Sequence, residues 1–175
     1  MLEVAKQRCE NHLTTTASNA LHAPPILKFH EFDALHPDLF PEVKQLEGKA
    51  DLVLSTLVLE HLPVDAFFRS VKALLKPTGG YLLLTNMHAE MGRISQAGFV
   101  DGATGEKIRG LSYAHEIKEV IEEGRKRSFE VVGEVGERDV QEGDLGVLVG
   151  ERGKKWVGVK VWFGFVMRFD GREGN

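Results

Sequence analysis

Residues 51–62 read DLVLSTLVLEHL. Between Asp51 and Ser55 the residues are aliphatic, and Leu57, Val58 and Leu59 continue the run. Such a stretch has two apolar faces, the pattern of a parallel strand covered by helices on both sides. Pro63 then opens a helix in which Val64, Phe67, Phe68, Val71, Leu74 and Leu75 recur at helical spacing. Pro77 and Gly79-Gly80 end it. YLLLT, residues 81–85, is a second buried strand. Strand, helix and strand in this order form a right-handed crossover with parallel strands.

The pattern extends on both sides. Residues 1–13 predict a helix with Leu2, Ala5, Cys9 and Leu13 on one stripe, and TTTASN (14–19) a loop. ILKFHEF (26–32) predicts a short strand. Residues 41–47 predict a short helix with Pro41 in its first turn. Residues 97–110 predict a hairpin or extended loop around Asp101-Gly102 and Thr104-Gly105. Ser112 is a cap candidate for a helix holding Ile117, Val120 and Ile121. FEVVGEV (129–135) and VGVKVWFGFVMRF (157–169) are the last strands. No helical stripe separates them, so the final strand returns antiparallel. The expected architecture is one α/β domain over 1–175, with a mostly parallel sheet and an antiparallel last strand.

Composition narrows the function classes. The chain has 175 residues, 42% apolar and 27% charged, as in an ordinary globular protein. Net charge is -4 and the sequence pI about 6.0, which disfavours nucleic acid or an anionic membrane as the main partner. One cysteine, Cys9, excludes an intrachain disulfide and a cysteine-rich zinc site. No apolar run approaches the roughly 18 residues of a membrane span. The charged N-terminus does not read as a signal peptide, which leaves the cytoplasm as the default location.

FDA (32–34), DLVLSTLVLEHLP (51–63), LLKPTGGYLLLTNMH (74–88) and the closing strand pair together resemble the class I, Rossmann-like S-adenosylmethionine-dependent methyltransferases. The resemblance spans almost the whole chain. It implies a three-layer sandwich whose sheet has seven strands, the last antiparallel. Residues 26–32 would be the third strand, 51–58 the fourth, 81–85 the fifth, 129–135 the sixth and 157–169 the seventh. The first two strands, the Gly-rich cofactor turn and the ribose-binding acid have no counterpart in this sequence. Residues 1–5 resemble the helix after the second strand. The expectation is an incomplete, N-terminally truncated Rossmann-like sandwich. Its fourth strand would expose an edge open to self-association.

Ligands of open α/β sheets lie outside the carboxyl ends of the strands. The resemblance therefore implies S-adenosylmethionine contacts at Ser55, Thr56, Leu57, Glu60 and His61. It also implies adenine contacts from Asp33 and the Ala34 backbone. Each residue has a structural reading beside the functional one. Asp33 would cap a turn; Ser55 and Thr56 would be hydroxyls bonded to backbone. Glu60 and His61 are adjacent, so one of them is structural. Asn86, Met87 and His88 also end a strand. His88 is the candidate substrate base or, alternatively, a loop histidine; His115, at the start of a helix, either interacts with substrate or is structural. Phe99 and Ile108 either close over a substrate or pin the hairpin to the body. The seven histidines show no metal spacing, HEFDALH (30–36) included. RGKKW (152–156) reads as a solvated loop.

Two function classes follow. One is methyl transfer to a small-molecule acceptor with S-adenosylmethionine. The other is an inactive remnant or interaction module that uses its open sheet edge. A nicotinamide-dependent reductase is disfavoured, since no GxGxxG turn is present.

Overall fold

The computed structural model describes residues 2–17, 27–95 and 98–171. The chain divides into two compact units, Met1–Gln45 and Leu46–Asn175.

The first unit holds α1 (Leu2–Ala17) and α2 (Pro41–Lys44). Helix α1 continues through Thr14–Ala17, where a loop was expected, while Ser18 and Asn19 lie outside the described residues. Threonine disfavours helix by only tenths of a kcal/mol, which is too little to stop one already formed. Of the expected stripe, Ala5 is exposed and Cys9 half-buried. Residues 27–32 are not a strand, and Ile26 lies outside the described residues. Local β propensity does not make a strand without a ladder to join. Here the segment is held by side chains instead. His30 Nδ1 meets Glu42 Oε2 at 2.8 Å, and Phe32 packs edge-on against Phe40 at 6.0 Å.

The second unit contains β1 (Leu52–Thr56), α3 (Val64–Leu74), β2 (Gly80–Met87) and α4 (Ala89–Ile94). After these come the hairpin β3 (Gly98–Val100) and β4 (Lys107–Arg109), then α5 (Ile117–Arg125), β5 (Phe129–Asp139) and β6 (Lys160–Phe169). The main sheet runs β1-β2-β6-β5. β1 and β2 are parallel, and β6 is antiparallel to both β2 and β5. Three strands thus share one direction and the last opposes them. In the seven-strand numbering this is the order four, five, seven, six.

The core lies on one face. Leu82, Leu84, Phe163, Phe165, Met167, Phe129 and Phe169 meet Phe67, Phe68 and Val71 of α3 and Val120 of α5. Gly124 permits the closest approach, because a Cβ there would lie 2.7 Å from Met167 Cε and 3.0 Å from Phe68 Cζ. Helix α5 starts at Ile117 with Glu116 as its N-cap, not at Ser112. Between β5 and β6 two short 3-10 turns replace a crossover helix, at Glu142–Asp144 and Glu151–Trp156.

The opposite face is open. Leu52 is 54% and Leu54 66% exposed on β1. Tyr81, Val132 and Trp162 extend the apolar surface across the other strands. β1 is an edge strand and, among the described residues, no strand precedes it.

Candidate functional site

The carboxyl ends of β1, β2 and β5 and the start of β6 lie along one side of the sheet, as their register requires. β1 ends in an irregular turn. Leu57 takes φ of +55°, a left-handed conformation that costs a leucine about 1 kcal/mol or more. Its N–H still reaches Thr85 O at 3.0 Å, prolonging the ladder. The chain then tightens into a 3-10 turn, Leu59–His61.

Alternation along β1 separates Ser55 from Thr56. Thr56 points to the open face, where Thr85 Oγ1 donates to its hydroxyl at 3.1 Å. Ser55 points to the core face, as does Asn86 on β2. Both are buried, at 5% and 1% exposure, and Glu60 in the following turn is 8% exposed. Ser55 Oγ, Asn86 Oδ1 and Glu60 Oε2 have no hydrogen-bond partner. Glu60 and His61 split as their adjacency demands: Glu60 is buried and His61 half exposed, with His61 Nε2 3.9 Å from Glu60 Oε1.

His88 caps α4. Its Nδ1 accepts from Glu90 N–H at 3.1 Å, so Nε2 carries the proton and donates to Glu137 Oε1 at 3.0 Å. Lys160 Nζ donates to the same oxygen at 2.9 Å. These bonds, that from Lys160 foremost, hold the Glu137 carboxyl below its ordinary value of 4.5. A carboxyl with a depressed folded pKa adds stability above its unfolded pKa and loses it as pH falls through the folded one. Glu137→Gln is therefore expected to flatten the acid limb. Urea unfolding at neutral pH and near pH 4 should show a smaller loss for the variant than for the parent. An equal loss would mean that the Lys160–Glu137–His88 cluster does not contribute.

His115 is buried and structural. Its Nε2 lies 2.8 Å from Leu62 O, its ring stacks on Tyr113, and Tyr113 N–H donates to Glu60 O. In the first unit, Asp33 Oδ1 accepts from Leu35 N–H at 2.8 Å, the turn-capping geometry; Ala34 lies inside that turn. Among the described residues no group of three or more His, Cys, Asp or Glu is placed to hold a metal ion. No helix among them is long and apolar enough to cross a membrane.

Of the segment 97–110, expected as a hairpin or an extended loop, the described residues from Gly98 onward hold a hairpin, and Ala97 lies outside the described residues. Asp101 Oδ1 accepts from Ala103 and Thr104 N–H at 2.8 and 2.9 Å. Phe99 and Ile108 pair across it and are exposed. Lys107 and Arg109 take the other face of β4 and, with α4, line a cavity of about 560 Å³. Sequence reasoning passed over this pair, although a Lys-x-Arg spacing in a strand places both cations on one face.

The chain has a relative in sequence. Over 144 residues the chain is 48% identical to an uncharacterized methyltransferase of Emericella nidulans. The chain has a Rossmann-like α/β fold, and in sequence it is similar to a methyltransferase. The match covers 79% of this chain and 50% of the relative, so the chain spans about half the length of the protein it resembles. No protein-family model matches. Among solved structures, the PH0226 protein of Pyrococcus horikoshii aligns with a TM-score of 0.50 and 12% identity, over 94% of this chain and 66% of that one. An S-adenosylmethionine dependent methyltransferase from Mesorhizobium loti aligns with a TM-score of 0.48 and 14% identity, over 70% and 63%.

Proposed function

We propose that this chain forms one wall of an S-adenosylmethionine-dependent methyltransferase site that acts on a small-molecule acceptor. The observation that carries the reading is the group of buried, unpartnered polar atoms on Ser55, Glu60 and Asn86 at the carboxyl edge. Each such atom costs about 1–3 kcal/mol if left unpaired, and water or a ligand must satisfy it. A hydroxyl, a carboxylate and an amide oxygen suit the hydroxyl and amino groups of that cofactor. The strained Leu57 backbone at the same edge is a second mark of a site.

When bound, the cofactor supplies a methyl group already activated by its sulfonium. The share of the chain is binding and alignment. Ser55, Thr56, Leu57 and Glu60 are the proposed contacts on this wall, and His61 is then the structural member of its pair. His88 is the proposed base. Nδ1 has its lone pair, so taking a proton there replaces the cap bond from Glu90. Glu137 then stabilises the imidazolium through Nε2.

Calorimetric titration with S-adenosylhomocysteine tests the reading, and saturable binding is expected. Ser55→Ala should weaken it about tenfold, one hydrogen bond's worth. The same variant should leave unfolding free energy equal or slightly higher, because it removes an unsatisfied hydroxyl. A folded chain that takes up no ligand sinks the proposal.

The second reading, an interaction module, is favoured by the uncovered leucines of β1. It predicts pairing between copies through that edge.

A further inference from the structure

We propose that the cavity between α4 and the β3–β4 hairpin binds an oxyanion, a phosphate or carboxylate carried by the acceptor. The cavity holds about 560 Å³ and is lined by Arg93, Lys107, Arg109, Ser95 and Ser112, with Gly92 and Ala114 among its apolar lining. Three cationic side chains therefore converge there, in a chain whose net charge is -4. Lys107 and Arg109 sit two apart on one strand and so project from the same face. Arg93 pairs with Glu116. Among the described residues neither Lys107 nor Arg109 has an ion-pair partner. Two cations on one face of a strand repel each other, and an anion beside them offsets that repulsion.

The groups suit an oxyanion in kind as well as in sign. A guanidinium offers a planar fork that matches carboxylate and phosphate oxygens. An ammonium adds a point charge, and two serine hydroxyls add neutral donors. A Cβ on Gly92 would come 3.2 Å from Ala114 Cβ, so glycine there lets α4 pass close to the segment before α5. A Cβ on Gly98 would come 2.8 Å from Ile108 O, so glycine there lets β3 close against its own partner strand β4. Helix α4, capped by His88 directly after β2, contributes Gly92, Arg93 and Ile94 of its last turn to the cavity.

As an acceptor subsite the proposal rests on the methyl-transfer reading; as an anion site it stands alone. Titration with inorganic pyrophosphate and, separately, with citrate tests it in the absence of cofactor. Saturable binding of at least one ion is expected, and the tighter of the two assigns phosphate or carboxylate. Lys107→Gln and Arg109→Gln should each weaken it about tenfold. Lys118→Gln, an exposed cation on α5 paired with Glu122, should leave it unchanged. Both hairpin residues are exposed, so circular dichroism should not change. Failure of both ions to bind overturns the proposal, as does equal binding in every variant or an equal loss in Lys118→Gln. S-adenosylhomocysteine titration of the same variants separates the two readings. Anion binding that fails while S-adenosylhomocysteine binding persists removes only the subsite.

Discussion

Phe68→Ala is expected to lower the unfolding free energy by about 3–5 kcal/mol, the cost of emptying a packed aromatic site. Phe68 is completely buried. Its ring meets Phe67 edge-on and Phe129 at a tilt, both with centroids 5.4 Å away, and Phe129 stacks on Phe169 at 5.0 Å. This aromatic chain ties α3 to β5 and β6. The facing residue on α5 is Gly124, which has no side chain to move into a cavity. The void should therefore persist, placing the loss at the upper end of the range. A domain is stable by only about 5–15 kcal/mol, so the variant should be near its limit. Phe68→Leu fills most of the volume and should cost under about 2 kcal/mol. Urea denaturation of both variants checks this. A loss below about 1 kcal/mol for Phe68→Ala would mean that α3 is not packed as described.

The helix carrying Phe68 was legible because its apolar spacing is regular, and burial of Phe67, Phe68 and Val71 follows that spacing. The hairpin was legible because Asp101-Gly102 and Thr104-Gly105 form a local turn that needs no distant partner. What failed depended on neighbours. Residues 27–32 have strand-like composition but no ladder. The run 51–58 reads as buried on both faces, yet Leu52 and Leu54 are exposed. An apolar pattern records a need for cover, not what supplies it. The site was half legible for the same reason. The residue types at the end of β1 suggested a polar edge. That Ser55 and Thr56 face opposite sides follows from pleating, but which side is covered does not. Glu137 lies 49 residues from His88, and no sequence spacing links the two.

The chain is expected to pair with a second copy through β1, and Leu54→Lys is expected to abolish that pairing without unfolding it. The sheet has two edges, and they differ. β5 carries Glu130, Glu134, Glu137 and Arg138 and breaks register between Val132 and Gly136. Charges and bulges of this kind are how edge strands avoid pairing. β1 has neither. Its residues Leu52–Thr56 are uncharged, its register with β2 is continuous, and Leu52 and Leu54 face solvent. Pairing through β1 would give its outer backbone groups partners and cover both leucines. Burial of apolar surface at about 25 cal/mol per Å² favours that step. A lysine at position 54 puts a charge where the second copy must pack, which opposes it. Position 54 is exposed in the single chain, so stability should stay within about 0.5 kcal/mol. Light scattering across a concentration series reads the outcome. The parent should gain mass with concentration and the variant should not. A parent that stays monomeric at high concentration would show that the β1 edge is protected in some other way. A variant that still associates would place the contact elsewhere, with the β5 edge next to be tested.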